Sequence, residues 1–481
     1  MSINNLEPKA VWNNFSKLNA VPRPSKKEER VISFMMDFGI NLGLETFSDA
    51  IGNVIIRKPA TQGMEGKKMI TLQSHLDMVH QKNADTVFDF DTQGIDMFIE
   101  DDWVKAKGTT LGADNGMGVA AIMALLESKS IPHPPLEALF TIDEETGMTG
   151  AFELKAGVLK GEILLNLDTE EDDEIDIGCA GGIDVTATRG YNEKEGAHGD
   201  AGLEITVKGL KGGHSGMDIH KGLGNANKIM NRLLYLGLDY NVRMSTLKGG
   251  SLRNAIPRES TCKLNVGKKH VDKFIKKVTK LSKAIKAELK VQEPNLKIEL
   301  SEVKPAKKVL GLGAQEKLIK AVYAAQNGVY AMSGAFDDLV ETSNNIAVVE
   351  VVKGKITIGC LTRSSVDSAK LDLANSLRSV FELSGFDVKF SGSYPGWNPN
   401  PNSEILSIAK ATYINLFNEQ PRVVACHAGL ECGILGQNYP DVEMVSFGPT
   451  ILGAHSPDER VSISSVQKFW KLLLEILKNT K

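Results

Sequence analysis

The chain has 481 residues, is 42% hydrophobic and 24% charged, and carries a net charge of −4. This length exceeds one typical compact core and implies two domains. The balanced charge supplies no global field for nucleic acid or an anionic membrane, and no uninterrupted apolar run is long enough to span a bilayer.

The opening segment MSINNLEPKAVWNNFSKL lacks the basic and apolar blocks of a signal peptide. Five scattered cysteines, Cys179, Cys262, Cys360, Cys426 and Cys432, fit reduced thiols better than a disulfide framework, so a cytoplasmic location is expected. Strands are predicted at GNVIIRKP and KKMITLQS. VAAIMALLESK reads as a helix with Val119, Ile122, Met123 and Leu126 on one face. LEALFTI and GEILLNL are continuous apolar runs, which suit strands covered on both faces. A mainly parallel sheet covered by helices follows.

Near GCAGGIDVTATRGYN the pattern changes to alternation, as in LEITVKG and DVKFSG, which suits an antiparallel sheet with one solvated face. The lysine-rich stretch KKHVDKFIKKVTKLSKAIKAELK places Val271, Phe274, Val278, Leu281 and Ile285 at helical spacing, so it reads as an amphipathic helix with a basic outer face. GLEITVKGL and GKITIGCLTRSS each read as a strand followed by a helix and hint at two similar halves. The Pro/Asn-rich segment Tyr394 to Asn402 reads as a linker. Beyond it come a helix from about Ser403, the strand VEMVSFG and a last helix with Val466, Phe469, Leu473 and Ile476 as its stripe. The expected organisation is an α/β domain of residues 1–182 and 396–481, with an α+β domain of residues 183–395 inserted.

Carboxylates or histidines stand just after an apolar run or just before a helix at His75-Leu-Asp77, Asp114, Glu144-Glu145, Asp168 and His455. In open α/β sheets such strand-end residues converge. Two histidines and three carboxylates suit two divalent ions with one carboxylate shared; this chemistry favours zinc, with cobalt or manganese as substitutes. Singly, each residue also reads as a solvated or capping group; Asp114 as an N-cap is one case. From the acidic run DTEEDDEID only Asp168 is taken, the rest reading as a solvated face.

The segments SHLDMV, TTLGADNGMG, DEETGMTGA, LNLDTE and GAHSPDE together resemble the M20 family of co-catalytic zinc peptidases, over nearly the whole chain. The resemblance implies a dinuclear zinc dipeptidase that splits Xaa-His and broader dipeptides with a hydroxide shared by two ions. It makes His75 and Asp168 ligands of one ion, Glu145 and His455 ligands of the other, and Asp114 the bridge, often followed by a cis peptide bond. Glu144 becomes the general base and Asp77 the residue that orients His75. KGGHSGMDIHKGLGNANK is similar to the family's lid motif and makes His214 a donor to the tetrahedral oxyanion. GGSLRNAIPRES is similar to a substrate-binding strand and makes Asn254 a candidate. The resemblance also implies a homodimer through the lid domain, and leaves open an insertion that mimics a second subunit within one chain. It leaves open an N-acyl amino acid deacylase or a tripeptidase, and the roles of His427 and Glu431 in CHAGLECG. His80 matches no ligand of the family.

Overall fold

The computed structural model describes residues 2–336 and 338–481. The chain divides into two compact units. Met1–Gly178, Trp397–Ala425 and Leu430–Lys481 form the first; Cys179–Gly396 and Cys426–Gly429 form the second. Among the described residues no helix is long and apolar enough to cross a membrane.

The first unit is built on an eight-stranded sheet. Its order is Glu45–Ser48, Val54–Lys58, Leu136–Thr141, Ile70–His75, Ile163–Asn166, Glu443–Ser446, Glu174–Cys179 and Arg422–Cys426. The four strands from Leu136–Thr141 to Glu443–Ser446 run parallel. The strands on either side of them pair antiparallel. Ile70–His75, Leu136–Thr141 and Ile163–Asn166 are buried at every residue, the polar Gln73, His75, Glu137 and Asn166 included, as strands covered on both faces are.

The helix Ala113–Glu127 packs against Ile70–His75 and against the helix Lys9–Asn19. It is buried all round from Met117 to Leu126, not only along the predicted face. Its lack of any polar side explains this, since a helix apolar all round must sit inside. The last helix, Ile463–Asn479, buries Val466, Phe469, Leu473 and Ile476 as expected; its N-cap Ser462 accepts a hydrogen bond from the Ser465 N–H.

The acidic run differs from its sequence reading. Asp172 pairs with Lys468 at 2.9 Å, Arg422 forks onto Asp173 at 2.7 and 2.9 Å, and Asp176 is buried beneath Thr169 Oγ1 at 2.8 Å. Cations contributed by distant segments pair with a face that stays partly exposed over residues 171–174, and full burial begins only at Ile175.

The second unit is a nine-stranded antiparallel sheet whose helices share one apolar core. It contains two βαββαβ sets. The inner set runs Ala201–Lys208, helix Ala226–Gly237, Arg243–Gly249, Ser260–Val266, helix Val271–Glu288 and Lys297–Val303. The outer set runs Gly181–Gly190, helix Leu312–Ala324, Val340–Val352, Lys355–Ser364, helix Asp367–Leu383 and Asp387–Tyr394. Both sets have the spatial strand order fourth-first-third-second, and they join edge to edge where Arg243–Gly249 pairs with Val340–Val352. The inner set is thus inserted after the first strand of the outer one, and a ribbon of Glu193–Glu195 with Lys308–Leu310 clasps its entry and exit. The predicted halves exist, but the two segments matched in the sequence are not counterparts. One is the first strand of its set and the other is the third. The lysine-rich helix buries Phe274, Val278 and Ile285 and turns its lysines outward, as its spacing predicts.

Candidate metal centre

The carboxyl ends of the four parallel strands deliver the predicted side chains. His75 closes Ile70–His75, and Asp168 follows Ile163–Asn166. Glu144 and Glu145 open the one-turn helix Glu144–Gly147 just after Leu136–Thr141. His455 lies beyond Glu443–Ser446, in the hairpin loop between Ile451–Leu452 and Arg460–Ser462, with φ of 63°. Asp114 comes from the loop that enters Ala113–Glu127; its φ and ψ of −81° and 114° are not helical, so it is not the simple N-cap its position allowed. The Asp114–Asn115 peptide bond is cis.

Asp114 stands between the two histidines. Its Oδ1 is 3.1 Å from His75 Nε2 and its Oδ2 is 3.1 Å from His455 Nε2. On one side His75 Nε2 is 3.5 Å from Asp168 Oδ1 and 4.0 Å from Glu144 Oε2. On the other, His455 Nε2 is 3.0 Å from Glu145 Oε2. His75 is buried, whereas the His455 side chain is 56% exposed.

Asp77 supports both sides of this arrangement. His75 Nδ1 is 3.1 Å from the Asp77 carbonyl oxygen and 3.4 Å from its carboxylate. A proton on Nδ1 donated to that carbonyl leaves the Nε2 lone pair facing Asp114 and Asp168. The Asp77 carboxylate meanwhile accepts the backbone N–H groups of Glu144 and Glu145 at 3.0 and 3.3 Å. Asn115 Nδ2 donates to Asp168 Oδ1 and to the Leu167 carbonyl.

The charges are unbalanced. Burial, opposed by His75 and reinforced by Asp168, Glu145 and Glu431, pushes the Glu144 carboxyl well up. Burial and the Asp114 charge raise Glu145, and burial raises Asp168. Glu170 is pushed up to about 8 by burial and by Asp114. Hydrogen bonds donated by its ring to Asp114 and Glu145 lift His455 to about 11, and the surrounding carboxylates lift His75 despite its burial. Asp114 goes down in spite of burial, because both histidines face it.

His214 and Asn254 lie in the second unit. His214 pairs with Ala255 on a short ladder, Gly213–His214 against Ala255–Ile256, and Asn254 directly precedes that ladder, its carbonyl accepting the Ser215 N–H at 2.7 Å. His214 Nδ1 accepts the Gly216 and Met217 N–H groups at 3.3 and 3.1 Å, which leaves Nε2 to carry the proton of the neutral ring. His427 also belongs to the second unit, where its Nε2 is 2.8 Å from Ser343 Oγ. His80 makes an edge-on contact with Phe90 and takes no part in the cluster.

The profile of peptidase family M20/M25/M40 matches residues 71–479. The chain belongs to this family. This M20 chain is 43% identical over 477 residues to the cytosol non-specific dipeptidase of Escherichia coli K12, covering 99% of this chain and 98% of that one. It is similar to the crystal structure of aminoacylhistidine dipeptidase from Vibrio alginolyticus, with a TM-score of 0.93, 44% identity, and coverage of 100% of this chain and 98% of that one. Aminopeptidase PepT from Bacillus cereus shares the fold, with a TM-score of 0.58 and 17% identity over 99% of both chains.

The donor set of the M20 chain fits divalent metal. Ligand atoms of His75, Asp114 and Glu145 lie within 4.8 Å of one another. Carboxylates outnumber imidazoles, and Glu145 Oε1 is buried without a hydrogen-bond partner. An imidazole and carboxylate set with surplus negative charge is what a borderline cation takes. The sequence reading missed Glu170, Arg23 and Glu459 around this site. Glu431, left open there, is buried in the first unit and accepts from Gln73 Nε2 and Thr141 Oγ1, both at 2.6 Å. Nothing local marks these residues, since each acts on a partner remote in sequence.

Proposed function

We propose that this chain is a metal-dependent dipeptidase that hydrolyses Xaa-His and a broader set of dipeptides. The observation that carries this reading is the single Asp114 carboxylate with one oxygen toward His75 and the other toward His455. The 43% identity to a dipeptidase over nearly the whole chain supports the reaction class.

His75 and Asp168 would hold one ion, Glu145 and His455 the second, and Asp114 both; zinc suits these donors, with cobalt or manganese as substitutes. Divalent ions held there would supply Lewis acidity toward water and the peptide carbonyl. Glu144 takes the proton of the attacking water and returns it to the departing amine. Its raised pKa suits a group that must hold a proton for part of the cycle. Asp77 keeps His75 in the tautomer that presents Nε2. His214 donates its Nε2–H to the oxyanion, and Asn254 binds substrate. The second unit acts as a lid through which two copies pair. The likeness to a relative named as cytosolic supports a cytoplasmic site of action.

The test is a panel of dipeptides, tripeptides and N-acyl amino acids, assayed with metal-free and with zinc- or cobalt-loaded protein. Metal-dependent cleavage confined mainly to dipeptides is expected. Preference for tripeptides or N-acyl amino acids would replace the proposed substrate class.

A further inference from the structure

Two buried side chains outside the ligand set grip the loop that carries Asp114. Glu459, four residues beyond His455, is 2% exposed. Its Oε2 accepts the backbone N–H groups of Leu111 and Gly112 at 2.7 and 2.9 Å. Its Oε1 accepts those of Ala113 and Asp114 at 2.7 and 3.2 Å. Four successive amides thus converge on one carboxylate, an arrangement like the amide nests that hold free anions.

Arg23 is 1% exposed and holds the same loop from the carbonyl side. Its Nη2 donates to the Gly112 carbonyl at 2.5 Å, and its Nη1 donates to the carbonyls of Leu76 and Asp77 at 3.0 Å each. Gly112 has φ of 71°, and a Cβ there would lie 2.6 Å from Arg23 Nη2, so the guanidinium fits only against glycine. Glu459 therefore links the Asp114 loop to the His455 loop, and Arg23 links it to the turn after His75.

We propose that Glu459, with Arg23, is a positioning residue for the metal centre, holding the Asp114 carboxylate between His75 and His455 before any ion arrives. The inference rests on the reading that Asp114 is shared by two ions. A ligand that serves two ions must be held to about 0.5 Å. Four amide donors need four lone pairs, which a carboxylate supplies. Glutamine supplies half of them and turns an NH2 group toward the remaining amides. The loop would then shift to satisfy those amides, and Asp114 would move with it. A residue that merely held the fold together would change stability without a selective effect on metal.

The experiment compares the full-length wild type, E459Q and R23K. Co2+ is titrated in chelator-buffered solution and followed by its visible absorption, and kcat and KM are measured at saturating metal. Metal-free wild type is also examined by amide hydrogen exchange. The wild type is expected to take two ions. In folded E459Q and R23K, half-saturation by at least one ion should rise about 10–100-fold, with kcat largely recovered at saturating metal. In metal-free wild type the amides of residues 111–114 should exchange far more slowly than those of the exposed loop at 84–87. Folded variants that bind both ions as tightly as the wild type overturn the inference. So does fast exchange at 111–114, a result that needs no variant to fold. If the wild type binds no divalent ion, the functional reading fails first and is identified as the failure.

Discussion

The Asp77 carboxylate accepts the Glu144 N–H at 3.0 Å while the Asp77 carbonyl oxygen lies 3.1 Å from His75 Nδ1. One residue therefore sets both the imidazole that faces Asp114 and the short helix that carries Glu144 and Glu145. The two tasks use different atoms, so they can be separated by mutation. Asp77→Asn keeps the carbonyl but weakens the acceptor for the Glu144 and Glu145 amides. It should lower kcat about 10–100-fold, the range for residues that orient ligands, with bound metal retained. Steady-state kinetics with metal analysis on the same sample checks this; an unchanged kcat removes Asp77 from the mechanism.

Glu144 is the member of the glutamate pair farther from the histidines, 4.0 Å from His75 Nε2, whereas Glu145 reaches His455 at 3.0 Å. Glu144→Gln should therefore keep its metal content and lose about 10²–10⁴-fold in kcat, the usual contribution of a positioned acid–base group. Glu145→Gln should instead lose metal. Elemental analysis of both variants distinguishes the roles, and equal metal loss in both would argue against the division.

Metal removal should destabilise as well as inactivate. Asp114, Glu144, Glu145 and Asp168 crowd around two histidines, and burial works against most of their charges. A cation that binds only the folded chain stabilises it by about 4 kcal/mol at a thousandfold excess over Kd. Chelated protein should melt lower and recover with zinc or cobalt, as differential scanning calorimetry would show. A melting temperature indifferent to chelator and metal would contradict a centre of this kind.

His214 should act on turnover and not on metal. Its Nδ1 is engaged by two backbone N–H groups, leaving Nε2–H as the donor. His214→Ala should lower kcat about 10²–10³-fold, the scale of one lost oxyanion donor, at unchanged metal content. Normal turnover in this variant would exclude the assignment.

Asp176 offers a pH test at a group outside the ligand set, beneath Thr169. Burial, opposed by the Thr169 hydrogen bond, raises its pKa from 3.8 to about 7. The folded chain then binds more protons than the unfolded chain between those values. The stabilising contribution of this group is complete below about pH 4 and is lost as pH rises to about 7. Asp176→Asn removes the dependence, so at pH 8 the metal-free variant should exceed the wild type in stability by a few kcal/mol at most. Thermal melts of both proteins at pH 5 and pH 8 measure the difference. Parallel changes in the two proteins would refute it.

The strand-end ligands are legible because their signal is local: a strand-like segment, continuous and apolar at LEALFTI and GEILLNL, then His75, Glu144-Glu145 or Asp168. The parallel centre of the sheet followed from the same runs. Arg23 and Glu459 were not legible, because they hold backbone groups far away in sequence and no residue pattern marks a backbone partner. Glu170 was assigned to solvent along with its acidic neighbours, whereas it is half-buried and raised to about 8. The halves of the second unit were misaligned for a topological reason. With one set inserted into the other, sequence order no longer reports which strands correspond.

That insertion also sets the order in which the chain can complete its sheets during synthesis. Gly181–Gly190 emerges long before its partners Lys355–Ser364 and Asp387–Tyr394, and Ile163–Asn166 waits for Glu443–Ser446. The inner set alone is contiguous and has all its strands by Val303. Closing such long loops slows folding and leaves strand edges open while the ribosome finishes. A chain released early would carry five paired strands of the first sheet and the inner set of the second, each with an open edge, and would yield a sticky fragment instead of a smaller enzyme.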